Sequence, residues 1–193
     1  MNKKMLATFT ILIFALAMTG YAYSTWIKTI NIQGTSNMAE FSIYIQDYNN
    51  TKAQLSTDKH TLTITDTVIP GQTNWTGIII KNKGTTPATI TYGITAVESS
   101  IWETYFTHNE YFYGPYPTDP PPEVWNEAPI LPPPGGSSSP PELLAQNRLV
   151  AWQNITLSGT PPAFTIEITV TYTATFSSWT DTVSVIYTLT YPP

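Results

Sequence analysis

Apolar and hydroxylated residues alternate along much of this chain. The clearest example is residues 163–176, where apolar side chains from Phe164 to Phe176 take every second position and threonine or glutamate fills the others. Successive side chains of a β-strand point to opposite faces, so a period of two predicts strands with one buried face. The same alternation predicts strands at residues 40–47, 61–69, 88–97, 149–157 and 182–191.

Other stretches refine this pattern. The continuous apolar run Ile78-Ile79-Ile80, within residues 77–81, predicts a strand that is covered on both faces. Residues 98–107 are less regular and predict a further short strand, whereas the polar residues 47–59 predict a loop. With the N-terminal residues 24–34 there are about eight or nine strands, which predicts an all-β fold, a jelly-roll-like antiparallel β-sandwich.

Prolines crowd residues 109–141, with triplets at 120–122 and 132–134 and a Gly-Gly-Ser-Ser-Ser run after them. Proline removes a backbone donor and fixes φ, so this composition predicts neither a central strand nor a helix. We expect a long proline-rich inserted loop at the surface. It is either a tolerated decoration or a contact surface towards another subunit.

The N-terminus has the features of a signal peptide. Residues 1–4 are basic, residues 5–18 are apolar, and Gly20 and Ala22 place small residues before a cleavage point after Ala22. Residues 1–22 are therefore predicted to be removed, leaving residues 23–35 as an N-terminal strand and residues 36–193 as the sandwich domain. An uncleaved anchor is the alternative, and both predict a chain outside the cytoplasm, secreted or at the cell surface.

Composition narrows the function classes. Charged residues make up 11% of the chain, well under the roughly 25% of an average soluble domain. The net charge is −5 and no basic cluster occurs, which argues against nucleic-acid binding. The chain has no cysteine, so disulfides, thiolate catalysis and zinc–thiolate sites are excluded.

No catalytic motif emerges. His60 and His108 lack metal-ligand spacing and are predicted to be isolated surface histidines, and neither a nucleophile elbow nor a phosphate-binding glycine loop occurs. Asp47, Asp58 and Asp66 are the alternative for a calcium site, without the regular spacing that such loops show. We therefore predict that the chain is not an enzyme and carries no cofactor or metal.

Two other carboxylates, Glu103 and Glu110, are a glycosidase pair only if the fold brings them together. Three Asn-x-Thr sequons, at Asn49, Asn74 and Asn154, are candidate N-glycosylation acceptors. Because matches of this kind are expected by chance, the motifs permit glycosylation without arguing for it.

Residues 24–34 form a strand-like segment with one charge and no proline. Trp26, Lys28, Ile30 and Ile32 share one face. Natural edge strands carry charge or proline against unwanted pairing, and this segment is poorly protected. It is either the first strand of its own domain or a strand inserted into the sheet of the next subunit.

A family resemblance bears on that choice. The segments Ala22-Tyr23-Ser24-Thr25-Trp26 and Ile30-Asn31-Ile32-Gln33-Gly34-Thr35 resemble the start of the TasA/camelysin-like family, in particular archaeal bundling-pilus and thread filament subunits. The proline-glycine turn of residues 68–72, followed by the strand and Asn-x-Gly-Thr-x-Pro turn of residues 77–88, is similar to a second signature of that family.

The resemblance implies a secreted jelly-roll subunit that polymerises head to tail by donor-strand complementation. Its partner would be another copy of itself, with neighbouring filaments or cell surfaces as further contacts, and the membrane would be met only through the signal peptide. The implied donor residues are Thr25, Trp26, Ile27, Lys28, Thr29, Ile30, Asn31, Ile32 and Gln33. The alternative is a monomeric cell-surface or S-layer-associated sandwich that binds glycans or protein partners.

Overall fold

A computed structural model describes residues 41–125 and 136–192. These residues contain nine strands and two short helices. The strands are β1 (Ile43–Asn49), β2 (Ala53–Leu55), β3 (Thr61–Thr67), β4 (Thr73–Asn82), β5 (Thr89–Ala96), β6 (Phe106–Tyr116), β7 (Arg148–Leu157), β8 (Phe164–Phe176) and β9 (Trp179–Tyr191); the helices are α1 (Ser99–Tyr105) and α2 (Pro122–Trp125). The predicted signal peptide and the predicted donor strand, residues 25–33, lie outside the described residues.

The strands form two sheets. Sheet A has the order β1-β4-β7-β6 and sheet B the order β2-β3-β9-β8-β5. All neighbours are antiparallel except β3 and β9, which pair in parallel with Leu62 opposite Val185. The predicted all-β sandwich is confirmed, with this one parallel pair as an addition, since alternation in a strand carries no information about its partner's direction.

The core lies between the two sheets. Ile166, Ile168 and Val170 of β8 are fully buried, as are Ile78 of β4 and Leu149 of β7. Burying one such side chain stabilises a fold by about 1.5–3 kcal/mol, so the inward row of every strand contributes. No helix in these ranges is long and apolar enough to cross a bilayer.

The predicted short strand at residues 98–107 is wrong. Most of it forms α1, and β6 begins only at Phe106. Ile101, Trp102 and Tyr105 follow a spacing of one, three and four, which places them on one side of a helix, and all three pack against the core. Aromatic and β-branched content favoured a strand, but burial of this helical face decided the conformation.

The prediction that the proline-rich insertion contains no helix is wrong at α2, where a proline is tolerated because it occupies the first helical position. Two boundaries also differ from the sequence-based prediction. Residues 47–59, predicted as a loop, contain the end of β1 and the three-residue β2, which pairs with β3 at Gln54 and Thr63. Residues 109–116, predicted as part of the proline-rich insertion, belong to β6 and pair with β7. A proline is tolerated there because β6 is an edge strand whose register is irregular between Tyr113 and Tyr116.

The described parts of the insertion pack on the outer face of sheet A. Trp152 Nε1 donates to the Val124 carbonyl of α2 at 2.8 Å, and its ring centroid lies 5.9 Å from that of Trp125. Val124, Val150 and Trp152 belong to a second buried cluster, together with Ile79 and Tyr113. The insertion thus covers the second face of the Ile78-Ile79-Ile80 run, which confirms that this strand is buried on both sides.

Candidate functional site

One edge of the sandwich is open at β5. This strand ends sheet B and pairs only with β8. Just beyond it, the Val97 amide donates to the Glu167 carbonyl at 3.0 Å, so alternation directs the backbone groups of Ile90, Tyr92 and Ile94 away from β8. Among the described residues these groups have no backbone partner. They are a template for one more strand.

The facing edge of sheet A is β6. Phe112 exchanges backbone hydrogen bonds of 2.8 and 3.0 Å with Ser137 on its free side. The same alternation points the backbone groups of His108 and Glu110 to that side, where no described residue pairs with them. The free part of β6 therefore ends where the insertion returns to the sheet.

The two edges bound the same side of the sandwich. The Tyr92 ring of β5 lies 5.5 Å from the Phe112 ring of β6 and 6.5 Å from the Tyr172 ring of β8. Tyr92 shares the inward face of β5 with the buried Ile90, yet Tyr92 is 38% exposed and Ile94 is half-buried. The described residues therefore leave apolar side chains of the inner face partly uncovered along β5.

Behind this opening lies a row of buried polar side chains. Glu110 of β6 stands opposite Gln153 of β7, and Gln153 stands opposite Thr76 of β4. Glu110 is 4% exposed, and the other two are fully buried. All three project between the sheets, among the same inward positions that carry the apolar core.

Glu110 is the electrostatic centre of this row. The Tyr172 hydroxyl of β8 donates to Glu110 Oε1 at 2.9 Å, and His108 Nε2 lies 3.3 Å from the same oxygen. Burial raises the pKa of Glu110, while the His108 ring and the Tyr172 hydroxyl act in the opposite direction. Burial likewise raises the pKa of Tyr172 well above its ordinary value, and the neighbouring Glu110 adds to the effect.

Several polar atoms of the row and of the neighbouring His108 have no hydrogen-bond partner within the described ranges. They are Glu110 Oε2, His108 Nε2 and both polar atoms of the Gln153 amide. A buried unsatisfied polar group costs about 1–3 kcal/mol. The Thr76 hydroxyl is better placed, since it accepts from Asn50 Nδ2 at 2.9 Å.

The prediction that both histidines are isolated on the surface is wrong for His108. Its side chain is 7% exposed and lies beside Glu110, with the Trp102 ring 6.2 Å away. The error follows from the missed part of β6, because a residue in a predicted loop was expected to face water. His60 is partly exposed, and its Nε2 lies 3.7 Å from an oxygen of Asp181.

The three aspartates considered for a calcium site each interact with different groups. Asp66 forms an ion pair with Lys52, Asp58 accepts from Ser56 Oγ and from the His60 amide, and Asp47 accepts from the following amide. Within the described ranges no three acidic or histidine side chains lie close enough to hold a metal ion. Glu103 is exposed on α1 while Glu110 is buried, so their surroundings differ completely.

The three sequons are not equally accessible. Asn154 is 8% exposed, and its Oδ1 accepts from Asn109 N at 3.2 Å and from Asn109 Nδ2 at 3.1 Å. Asn49 Nδ2 donates to the Trp125 carbonyl at 3.2 Å. Asn74 is half-buried and lines a surface cavity of about 290 Å³ together with Asn49. Glycosylation at these positions stays a prediction.

No family model and no curated protein matches the chain. Among solved structures, the cadherin-like domains 1 to 4 of zebrafish RET match with a TM-score of 0.42 and 11% identity over 80% of this chain and 28% of that one. CfaE, the adhesive subunit of CFA/I fimbria of enterotoxigenic Escherichia coli, matches with a TM-score of 0.40 and 11% identity over 80% of this chain and 50% of that one.

A family 123 glycoside hydrolase from Clostridium perfringens matches with a TM-score of 0.39 and 11% identity. The match covers 66% of this chain and 22% of the hydrolase. The chain thus spans half or less of each of these three structures. At these scores the similarity carries no information about activity or partners.

Proposed function

We propose that this chain is a secreted structural subunit of an extracellular filament, in which residues 25–33 of one subunit complete the open edge of the next. The observation that carries the proposal is the β5 edge, where unpaired backbone groups run beside the partly uncovered Tyr92 and Ile94. An added strand would hydrogen-bond along this edge and cover these side chains at the same time.

The dimensions and pattern of the donor fit this edge. The donor has nine residues, which span about 30 Å when extended, and β5 has 8 residues. The face with Trp26, Lys28, Ile30 and Ile32 would point into the sandwich, so the Lys28 stem would lie among the apolar side chains, and the alternate residues would face water. Head-to-tail donation does not close on itself, so it would build a fibre rather than a dimer.

Export is the second half of the proposal. Removal of residues 1–22 would free the donor end outside the cytoplasm, which would couple assembly to secretion and leave the membrane as a partner only before cleavage. The N-terminus of the secreted material tests this part. We expect it to begin at Tyr23, and secreted chains that begin at Met1 would contradict it.

Truncation tests the assembly step. A chain lacking residues 23–34 should remain unassembled in electron micrographs, and a synthetic peptide of residues 25–33 should bind it. Fibres that persist after the truncation would rule out strand donation. If the truncated chain fails to fold, Ile30→Lys serves instead, with Thr29→Lys on the opposite face as the matched control.

Two outcomes with the full chain would also overturn the proposal. One is a monomer at high protein concentration in which residues 25–33 of the same molecule are protected from proteolysis. The other is glycan-array binding by that monomer, which would support the surface-binding alternative. Intermolecular cross-links between residues 25–33 and β5 would support strand donation. They would exclude a monomer that keeps this strand within its own fold and a monomer that acts by binding glycans.

A further inference from the structure

Thr76 and Gln153 are paired side chains at the centre of sheet A. They occupy opposite positions on the adjacent strands β4 and β7, and both are fully buried. The Gln153 amide has two donor hydrogens and a carbonyl oxygen, and neither its nitrogen nor its oxygen has a partner among the described residues. An unreacted amide left in this state would be a costly feature of a well-packed core.

We propose that Thr76 and Gln153 form an intramolecular ester bond, made by the folded domain itself. Side chains directly opposite on antiparallel strands have Cβ atoms about 4.5–5.5 Å apart. The ester would join the two Cβ atoms by four bonds, through Oγ1, the ester carbon and Cγ. Four bonds are long enough to span such a separation. The pairing of β4 with β7 thus places a hydroxyl side chain and a primary-amide side chain at opposite, fully buried positions.

The reaction balances without an oxidant, reductant or co-reactant. The Thr76 hydroxyl oxygen attacks the amide carbon of Gln153 and forms a C–O bond. The C–N bond then breaks, and the amino group leaves with the hydroxyl proton as ammonia. The net change is the loss of one ammonia molecule, and burial of the product protects the ester from hydrolysis.

Neighbouring side chains are suited to assist. Glu110 lies opposite Gln153 on β6, so Gln153 has Thr76 on one side and Glu110 on the other. A protonated Glu110 carboxyl would donate a hydrogen bond to the amide oxygen of Gln153 as negative charge develops on that oxygen. His108 Nε2 lies 3.3 Å from Glu110 Oε1 and would exchange a proton with the Glu110 carboxyl. Asn50 Nδ2 donates to Thr76 Oγ1 at 2.9 Å, and the buried Tyr187 hydroxyl is the second hydrogen-bond partner of Thr76, so it is placed to accept the Thr76 proton.

Such a bond would take the place of a disulfide. The chain has no cysteine, and a link between residues 76 and 153 would tie the two central strands of sheet A across a long stretch of sequence. A cross-link of this span restricts the unfolded chain and raises thermal stability. The inference concerns the domain by itself and does not depend on filament assembly.

Intact-mass spectrometry of the full chain tests the proposal. Thr76 also completes the Asn74 sequon, so the comparison uses chains made without N-glycans. We expect the wild type to lack the mass of one ammonia relative to its sequence, and Thr76→Val, which replaces the hydroxyl by a methyl group, to keep that mass. Proteolysis should yield one linked peptide containing both residues, which hydroxylamine should cleave. Glu110→Gln should slow ammonia loss at least tenfold without changing the circular dichroism of the folded chain.

Three results would overturn it. They are a wild-type mass equal to that of the sequence, ammonia loss that persists in Thr76→Val, and the recovery of Thr76 and Gln153 in separate unmodified peptides from the folded wild type. If Thr76→Val does not fold, Gln153→Met provides a second chain without the amide. The peptide map of the wild type decides the question in either case.

Discussion

The indole ring of Trp152 lies flat against the backbone of β4 at Gly77. A Cβ atom on Gly77 would lie 2.9 Å from both Cη2 and Cζ3 of Trp152, closer than carbon atoms can pack. The indole cannot retreat easily, because its Nε1 is hydrogen-bonded to Val124 and Trp125 packs beside it. Gly77 is therefore a glycine because the outer face of sheet A needs room for this ring.

Gly77→Ala should destabilise the domain by about 1–3 kcal/mol, the usual cost of overpacking. Gly93→Ala is the matched control. Gly93 also lies in a β-strand, β5, but a Cβ atom there would meet nothing within 4 Å. Urea denaturation of the two variants measures the difference. Equal stabilities would mean that the Trp152 ring is not held as described.

Glu110 should contribute more to the stability of the domain in acid than near neutrality. Because its pKa is raised in the folded state, its stabilising contribution is full below its ordinary pKa of 4.5 and is lost as the pH rises through the folded value. His108 and Tyr172 are the titratable groups in contact with it, and both favour its ionised form. Burial is the largest of these effects, so the net shift of the Glu110 pKa is upward.

Glu110→Gln should remove this part of the pH dependence. The comparison is best made in a Thr76→Val background, where the proposed ester cannot form. Thermal unfolding between acidic and neutral pH should show a smaller fall in midpoint for the double variant than for Thr76→Val alone. Parallel curves for the two proteins would contradict a raised pKa.

The β5 edge should be sensitive to charge on one face only. Tyr92→Lys places an ammonium group where a donor side chain would be buried, and we expect filament yield to fall about tenfold or more, equivalent to at least about 1.4 kcal/mol. Thr91→Lys changes the adjacent, exposed residue on the outer face and should leave assembly unchanged. Electron microscopy and sedimentation measure both, and equal losses would argue against insertion at this edge.

Among the three sequons, Asn74 should be the principal acceptor of a glycan and Asn154 the poorest. The Asn154 side chain is nearly inaccessible and its oxygen already accepts two hydrogen bonds, whereas Asn74 borders an open cavity. In secreted material, Asn74→Gln should remove glycan mass and Asn154→Gln should not. Glycopeptide mass spectrometry decides between them, and a glycan found at Asn154 would reverse the ranking.

Long alternating patterns predict their strands correctly, and short patterns do not. The 13 residues of β8 alternate throughout, and their apolar positions from Phe164 to Ala174 are buried, as predicted, whereas Phe176 at the end of the strand is exposed. The seven residues of α1 do not reveal a helical period, because two helical turns are too short, and their aromatic and β-branched content predicts a strand instead. The sequence does not single out Glu110, because the prolines that follow it predict a loop where β6 in fact buries this side chain.

The amino-acid sequence by itself determined which positions alternate, hence where most strands lie and which of their faces meet the core, because that information is local to each strand. Only the tertiary structure decided which strands are neighbours, including the parallel pairing of β3 with β9 and the row formed by Thr76, Gln153 and Glu110. Those three residues come from three strands far apart in the chain, and a period of two specifies the face of a residue but never its partner.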